Sequence, residues 1–199
     1  GSDAAAVIGL SPWASPFSVW MNKTGKEEDS EDNERLRQGR DLEEYVAQRF
    51  CESTGKKVRR VNAILINPQY PWAIADIDRA VIGEDAILEC KTTSVLQLKK
   101  YKNGEYPVQY YVQCQHYMAV TGCKKVYLAV LVLQHDFIIY EIDRDENEIA
   151  ALMEQEKHFW EDFVVTGEAP APDGSDVTTD SIKQLYPEAN TEQEVELYG

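Results

Sequence analysis

Apolar side chains recur along this chain at two different periods, and each change of period marks an element. From about residue 33 to 52, in NERLRQGRDLEEYVAQRFCE, Leu36, Leu42, Tyr45, Val46 and Phe50 keep near-helical spacing, with Gly39 as a local irregularity. Two short helices are predicted before it. One runs through AAAVIGL, capped by Ser2 or Asp3 and ended by Gly9 and Pro12, and the other lies in SPFSVWMNKTG. The run KEEDSEDNE between the second and third helices reads as a solvated charged link. The period then shortens to two. VRRVNAILI reads as a strand, and the apolar runs AVI and AIL flank the turn-like GED as a tight hairpin. Pro107 is placed as the first helical residue of PVQYYVQCQHYMAVTG, which Gly122 ends. KVYLAVLVL and FIIYEI are predicted as strands joined by the tight turn QHD. An amphipathic helix follows, with Ile149, Leu152, Met153, Phe159, Trp160 and Phe163 on its apolar side. Helices, strands with a helix among them, then a helix predict an α/β fold, a central mixed β-sheet flanked by α-helices. Residues 1–167 are expected to form one domain, followed by an acidic, Pro/Gly-containing segment over 168–199 read as loop or tail.

The hairpin carries charge where a core strand wants apolar groups. Asp78 stands near the start of its first strand, and Glu89 and Lys91 close the second. Side chains alternate along a strand, so Glu89 and Lys91 share a face and Cys90 points away. The midpoint of positions 78 and 89 falls between Gly83 and Glu84, inside the turn, which sets Asp78 and Glu89 opposite each other at about 5 Å between Cβ atoms. Carboxylates so close repel unless a cation or a proton lies between them. Three readings fit the triple: an edge ion-pair cluster, a general acid–base pair, or a divalent-metal site for phosphodiester hydrolysis. In the third, Asp78, Glu89 and the Cys90 backbone carbonyl offer the hard oxygens that Mg²⁺ takes, and Lys91 is placed to hold a water or offset phosphate charge. Asp76, on the same strand face, is the rival for the Asp78 role.

Composition narrows the partners only after its distribution is considered. The 199 residues have a net charge of −15. Residues 141–199 hold 17 acidic and three basic side chains, and residues 1–140 hold 18 acidic and 17 basic ones. A near-neutral body with local clusters at KKVRR and KKYK is compatible with a polyanion. The four cysteines form no CxxC pair, which argues against zinc, iron–sulfur clusters or a disulfide framework and for a reducing cytoplasm. No apolar run reaches membrane-spanning length. His116 reads as a packed polar residue and not a metal ligand, and His135 and His158 have no partner at ligand spacing. A helix cap at the second residue leads us to expect natural residues before the first.

Four stretches taken together resemble a known family. Asp78 with ECK at 89–91 is similar to the signature of PD-(D/E)xK nucleases, although ADID departs from the nominal proline–aspartate. GSDAAAVIGLSPW, RQGRDLEEYVAQRF, ADIDRAVIGEDAILECKT and VQCQHYMAVTG occur in the order seen in YqaJ-like viral recombinases, relatives of the lambda-type exonucleases. The resemblance covers residues 1 to about 165. It implies a restriction-endonuclease-like core and a Mg²⁺-dependent phage-type exonuclease on double-stranded DNA, with Mn²⁺ able to substitute. It also implies a metal-site glutamate at Glu43, with Glu44 as its neighbour, and an active-site glutamine at Gln115, with Gln113 as the alternative. Ser2 matches a small polar residue near the phosphate-binding end, and Lys99, Lys100 and Lys102 are expected to contact phosphates. A homo-oligomeric ring and a single-strand annealing partner are implied by resemblance alone. The rival readings are an endonuclease of the same fold and a non-catalytic DNA-binding module.

Overall fold

The computed structural model describes residues 1–26 and 33–185. Most of the predicted charged link, at residues 27–32, and the end of the acidic segment lie outside the described residues. The elements run in order α1 (Ala4–Val7), α2 (Pro16–Lys23), α3 (Glu34–Thr54), β1 (Val58–Arg60), β2 (Leu65–Ile66), β3 (Ile74–Ala75), β4 (Arg79–Val81), β5 (Ala86–Thr93), a 3₁₀ segment (Val95–Tyr101), α4 (Val108–Thr121), β6 (Lys125–Val132), β7 (Asp136–Asp143), α5 (Glu146–Phe159), its π-helical extension (Trp160–Val164), and α6 (Asp176–Leu185).

Local chemistry sets most boundaries. Ser15 and Ser18 exchange side-chain and backbone hydrogen bonds at the start of α2, with Pro16 in its first turn. The Asn33 side chain accepts from the Leu36 N–H at 3.0 Å to open α3, and Gly55 closes it at φ 72°. Gly39 does not interrupt α3. Pro107 caps α4 instead of occupying its first turn, and Gly122 ends it at φ 78°.

Five strands form a mixed sheet in the order β1-β4-β5-β6-β7, and β2 and β3 form a separate two-stranded sheet. Only β5 and β6 run parallel. Parallel neighbours need a crossover, and α4 supplies it. VRRVNAILI is therefore two strands and not one: β1 pairs with β4, and β2 leaves that sheet to pair with β3. One face of the main sheet packs on α3 through Val46, Phe50, Leu88 and Ala129. The other packs on α4 and α5 through Ile87, Val126, Leu128, Met118 and Leu152. Burying both faces of β5 and β6 explains their near-continuous apolar sequence.

Within 168–199 a helix, α6, forms where loop was expected. Pro170, Pro172 and Gly174 lie in its approach and none lies within it, while Ile182 and Leu185 join the cluster of Phe17, Trp20 and Phe159 and Thr178 is buried. Among the described residues, no helix is long and apolar enough to cross a membrane.

Candidate active site

The β4–β5 register pairs Arg79 with Leu88 and Ala80 with Ile87. One step further along that register, Asp78 faces Glu89, as the hairpin midpoint predicts. The Asp78 Oδ2 accepts the Cys90 N–H at 2.7 Å. Glu89 is 3% exposed, on the α4 side of the sheet. Its Oε1 accepts from the Lys91 ammonium at 2.5 Å and from the Gln113 Nε2 at 2.9 Å. Its Oε2 is buried and has no hydrogen-bond partner among the described residues. The Lys91 ammonium also lies 5.1 Å from the centre of the Tyr110 ring. Asp78, Glu89, Cys90, Lys91 and Glu43 line one open cleft of about 640 Å³.

Glu43 projects from α3 and pairs with Arg79, whose guanidinium is buried beneath it. Arg79 also donates to the Asp78 carbonyl at 2.6 Å and reaches Glu44 at 3.1 Å. Burial alone would lower the Arg79 pKa, but the Glu43 carboxylate holds it above its ordinary value. Glu44 turns outward to Arg60 at 2.7 Å and lines no part of the cleft. Arg79 is the residue sequence reasoning missed. Its one signal was an arginine inside an otherwise apolar strand, since a buried arginine demands a carboxylate partner.

The glutamine assignment changes. Gln115 does not face the cleft. It is 1% exposed, donates to the Asp143 carbonyl at 2.9 Å and accepts the Asp145 N–H at 3.1 Å, which ties α4 to the junction of β7 and α5. Gln113 faces Glu89, and its Nε2 also lies 2.9 Å from the Tyr117 hydroxyl. Two residues along a helix is about 200° of rotation, so only one of the pair can point at the sheet strand that carries Glu89. Gln113→Ala is expected to lower activity by loosening the Glu89 carboxylate, and Gln115→Ala to leave activity largely intact while destabilising by about 1–3 kcal/mol through two stranded backbone groups. Urea melts beside turnover measurements check this, and the opposite pattern would reverse the assignment.

Other expected residues sit elsewhere. Asp76 is exposed and outside the cleft lining. Ser2 is exposed and outside it too, although its neighbour Gly1 packs so closely on Tyr117 that a Cβ there would overlap the ring. Lys99, Lys100 and Lys102 are exposed on and just after the 3₁₀ segment, which borders the cleft through Gln97, next to Ser94. His116 is a packed polar residue, as expected, between the Glu156 carboxylate at 2.7 Å and the Ile74 carbonyl at 2.8 Å.

The donor set fits a hard divalent cation. Two facing carboxylates with an orphaned buried oxygen are stable only if positive charge or a proton joins them. Among the described residues no three His, Cys, Asp or Glu side chains converge on one metal point. Glu43 is engaged by Arg79, so a cation here would rest on Asp78, Glu89, the Cys90 carbonyl and water, a mixture that suits Mg²⁺. Burial, and then the Glu89 charge, push the Asp78 carboxyl from 3.8 up to about 7, against the Cys90 hydrogen bond. The folded chain thus holds this proton more tightly than the unfolded chain. That contribution to stability is complete below the unfolded value and lost as pH rises through about 7. In the absence of divalent metal, the melting temperature is expected to fall from about pH 4 to about pH 7 and then to level off. Asp78→Asn should flatten that fall, by up to about 4 kcal/mol at the alkaline end at about 1.4 kcal/mol per pKa unit. Equal slopes in both proteins would show that Asp78 ionises normally.

A mixed sheet flanked by helices, with an aspartate facing Glu-x-Lys across a hairpin, defines the restriction-endonuclease-like class. Residues 1–124 match the family model of the YqaJ-like viral recombinase domain, and the chain belongs to that family. It is 43% identical over 200 residues to the uncharacterized protein YqaJ of Bacillus subtilis, covering 99% of this chain and 63% of that protein's length. Its fold is that of LHK-Exo, an alkaline exonuclease from Laribacter hongkongensis, solved in complex with dAMP: TM-score 0.70, 23% identity, 83% of this chain and 87% of that one. A phage-related exonuclease from Haemophilus somnus matches with TM-score 0.59 and 14% identity, over 83% of this chain and 94% of that one.

Proposed function

We propose that this chain hydrolyses phosphodiester bonds of double-stranded DNA from its ends, as a Mg²⁺-dependent exonuclease of phage-type recombination. The observation that carries the reading is the Asp78–Glu89–Lys91 constellation, in which Glu89 lines a cleft large enough for a nucleotide and keeps one buried oxygen unsatisfied among the described residues. The likeness in fold to two exonucleases supports it. Asp78, Glu89 and the Cys90 carbonyl would hold the cation, with Glu43 as a further carboxylate at the cleft wall. When bound, such an ion supplies Lewis-acid charge against the phosphate and eases deprotonation of water.

The remaining chemistry belongs to side chains. Burial works to lower the Lys91 pKa, but the Glu89 carboxylate raises it above the ordinary lysine value. Lys91 therefore stays a cation at neutral pH. It donates hydrogen bonds to a water or a phosphate oxygen and does not itself take the proton. Gln113 fixes the Glu89 carboxylate in plane, and Tyr117 fixes Gln113. Exposed Lys99, Lys100 and Lys102 would meet backbone phosphates, so binding weakens steeply with salt. A ring of copies, a single-strand annealing partner and a cytoplasmic site of action complete the proposal.

The deciding experiment is digestion of matched linear and closed-circular duplex DNA with Mg²⁺, with EDTA as control. Loss of the linear form alone supports the exonuclease. Cutting of both forms makes it an endonuclease on the same residues. No cutting of either, with Mg²⁺ or Mn²⁺, removes the hydrolase reading and leaves a binding module.

A further inference from the structure

Trp13 is the most exposed of the four tryptophans, with 61% of its surface open to solvent. It stands on the wall of the carboxylate cleft, and so do Arg35 and Leu36 from the first turn of α3. The Arg35 guanidinium lies 5.3 Å from the centre of the indole ring. With a cation against it and most of its area still open, the indole keeps a face free. Leu36, 51% exposed, adds an apolar neighbour. Large apolar groups gathered on one wall of a polar cleft mark a recognition surface.

The loop that presents Trp13 is held at both ends. The Leu10 N–H bonds the Ala5 carbonyl at 2.7 Å, the Trp13 N–H donates to the Ser11 hydroxyl at 3.2 Å, and the Ser15–Ser18 box fixes the entry to α2. The platform is therefore preorganised, so little ordering entropy opposes its use. On α3, Leu36, Gly39 and Glu43 fall at i, i+3 and i+7, on one face. Gly39 brings no side chain into the floor between platform and carboxylates. Seven residues of helix span about 10 Å, or about three steps of stacked DNA at 3.4 Å each.

We propose that Trp13, backed by Arg35 and flanked by Leu36, is a stacking site for one unpaired nucleobase of the strand whose phosphate enters the cleft, within about three nucleotides of that phosphate. This rests on the hydrolase reading and adds to it the residue that would hold a base of the strand entering the cleft. Stacking reads the π-face that every base offers, so the site is indifferent to sequence, and Arg35 places positive charge beside the flanking phosphates.

The test is a cycle between protein and DNA. Short single-stranded oligothymidylates, intact or with one abasic residue at each successive position from the end, are titrated against wild type, Trp13→Ala and Trp13→Phe with Ca²⁺ in place of Mg²⁺. In wild type, one abasic position should weaken binding on the order of 10-fold or more. Trp13→Ala should bind intact DNA weaker by a similar factor and show no added loss at that position, while Trp13→Phe keeps most of the affinity. The stacking loss should also change little with salt, unlike the phosphate contribution. The same abasic penalty in Trp13→Ala as in wild type overturns the stacking site and leaves the hydrolase standing if wild type still cuts linear duplex. Absence of both binding and cutting by wild type overturns the two together.

Discussion

Glu89→Gln is expected to abolish DNA cleavage, by a factor of at least about 1,000, and to abolish the thermal stabilisation that Mg²⁺ gives the wild type. The substitution keeps the shape of a residue that is 3% exposed and removes only its charge. Three things depend on that charge. Oε2 has no partner among the described residues and is left for a cation, the Lys91 ammonium is paired with Oε1 at 2.5 Å, and Gln113 donates to the same oxygen. An interaction with a buried charged group contributes more than one at the surface, since the surrounding dielectric is low. Melting curves with and without Mg²⁺ separate the metal effect from turnover. A Glu89→Gln protein that still cuts DNA, or still gains stability from Mg²⁺, would remove Glu89 from the site.

Arg79→Met is expected to destabilise the fold by about 3 kcal/mol and to lower activity through Glu43. Methionine replaces the length and packing of the side chain but none of its donors. Glu43 loses its partner, Glu44 loses its 3.1 Å contact, and the Asp78 carbonyl loses a hydrogen bond of 2.6 Å. Breaking a buried pair by removing one partner costs about 3–5 kcal/mol, and the lower end applies because Glu43 and Glu44 are 29% and 67% exposed and can turn to water. Arg79→Lys should recover little, since one ammonium cannot span two carboxylates and a carbonyl as a guanidinium fork does. Urea denaturation gives the stability difference. A loss below about 1 kcal/mol would show that α3 is held to β4 by apolar packing alone.

Local sequence determined much of this protein. Side-chain alternation and the position of a glycine turn placed Asp78 opposite Glu89 and put Lys91 on the same face, because a hairpin's register follows from its own residues. Helix caps and glycine stops bounded α3 and α4 for the same reason, and the strongly apolar β6 was legible as a run of buried residues. The four motifs in order also pointed to the family. The tertiary structure decided which face of α4 meets the sheet, and so chose Gln113 over Gln115. A helix that is buried nearly all round carries no polarity in its sequence to say which side faces the strand. It also decided that Arg79 lies under Glu43, that Trp13 and Arg35 meet at the mouth of the cleft, and that residues 176–185 fold as a helix against α2. Each of these joins side chains far apart in the chain, and such contacts follow from how the layers pack and not from any spacing along the sequence.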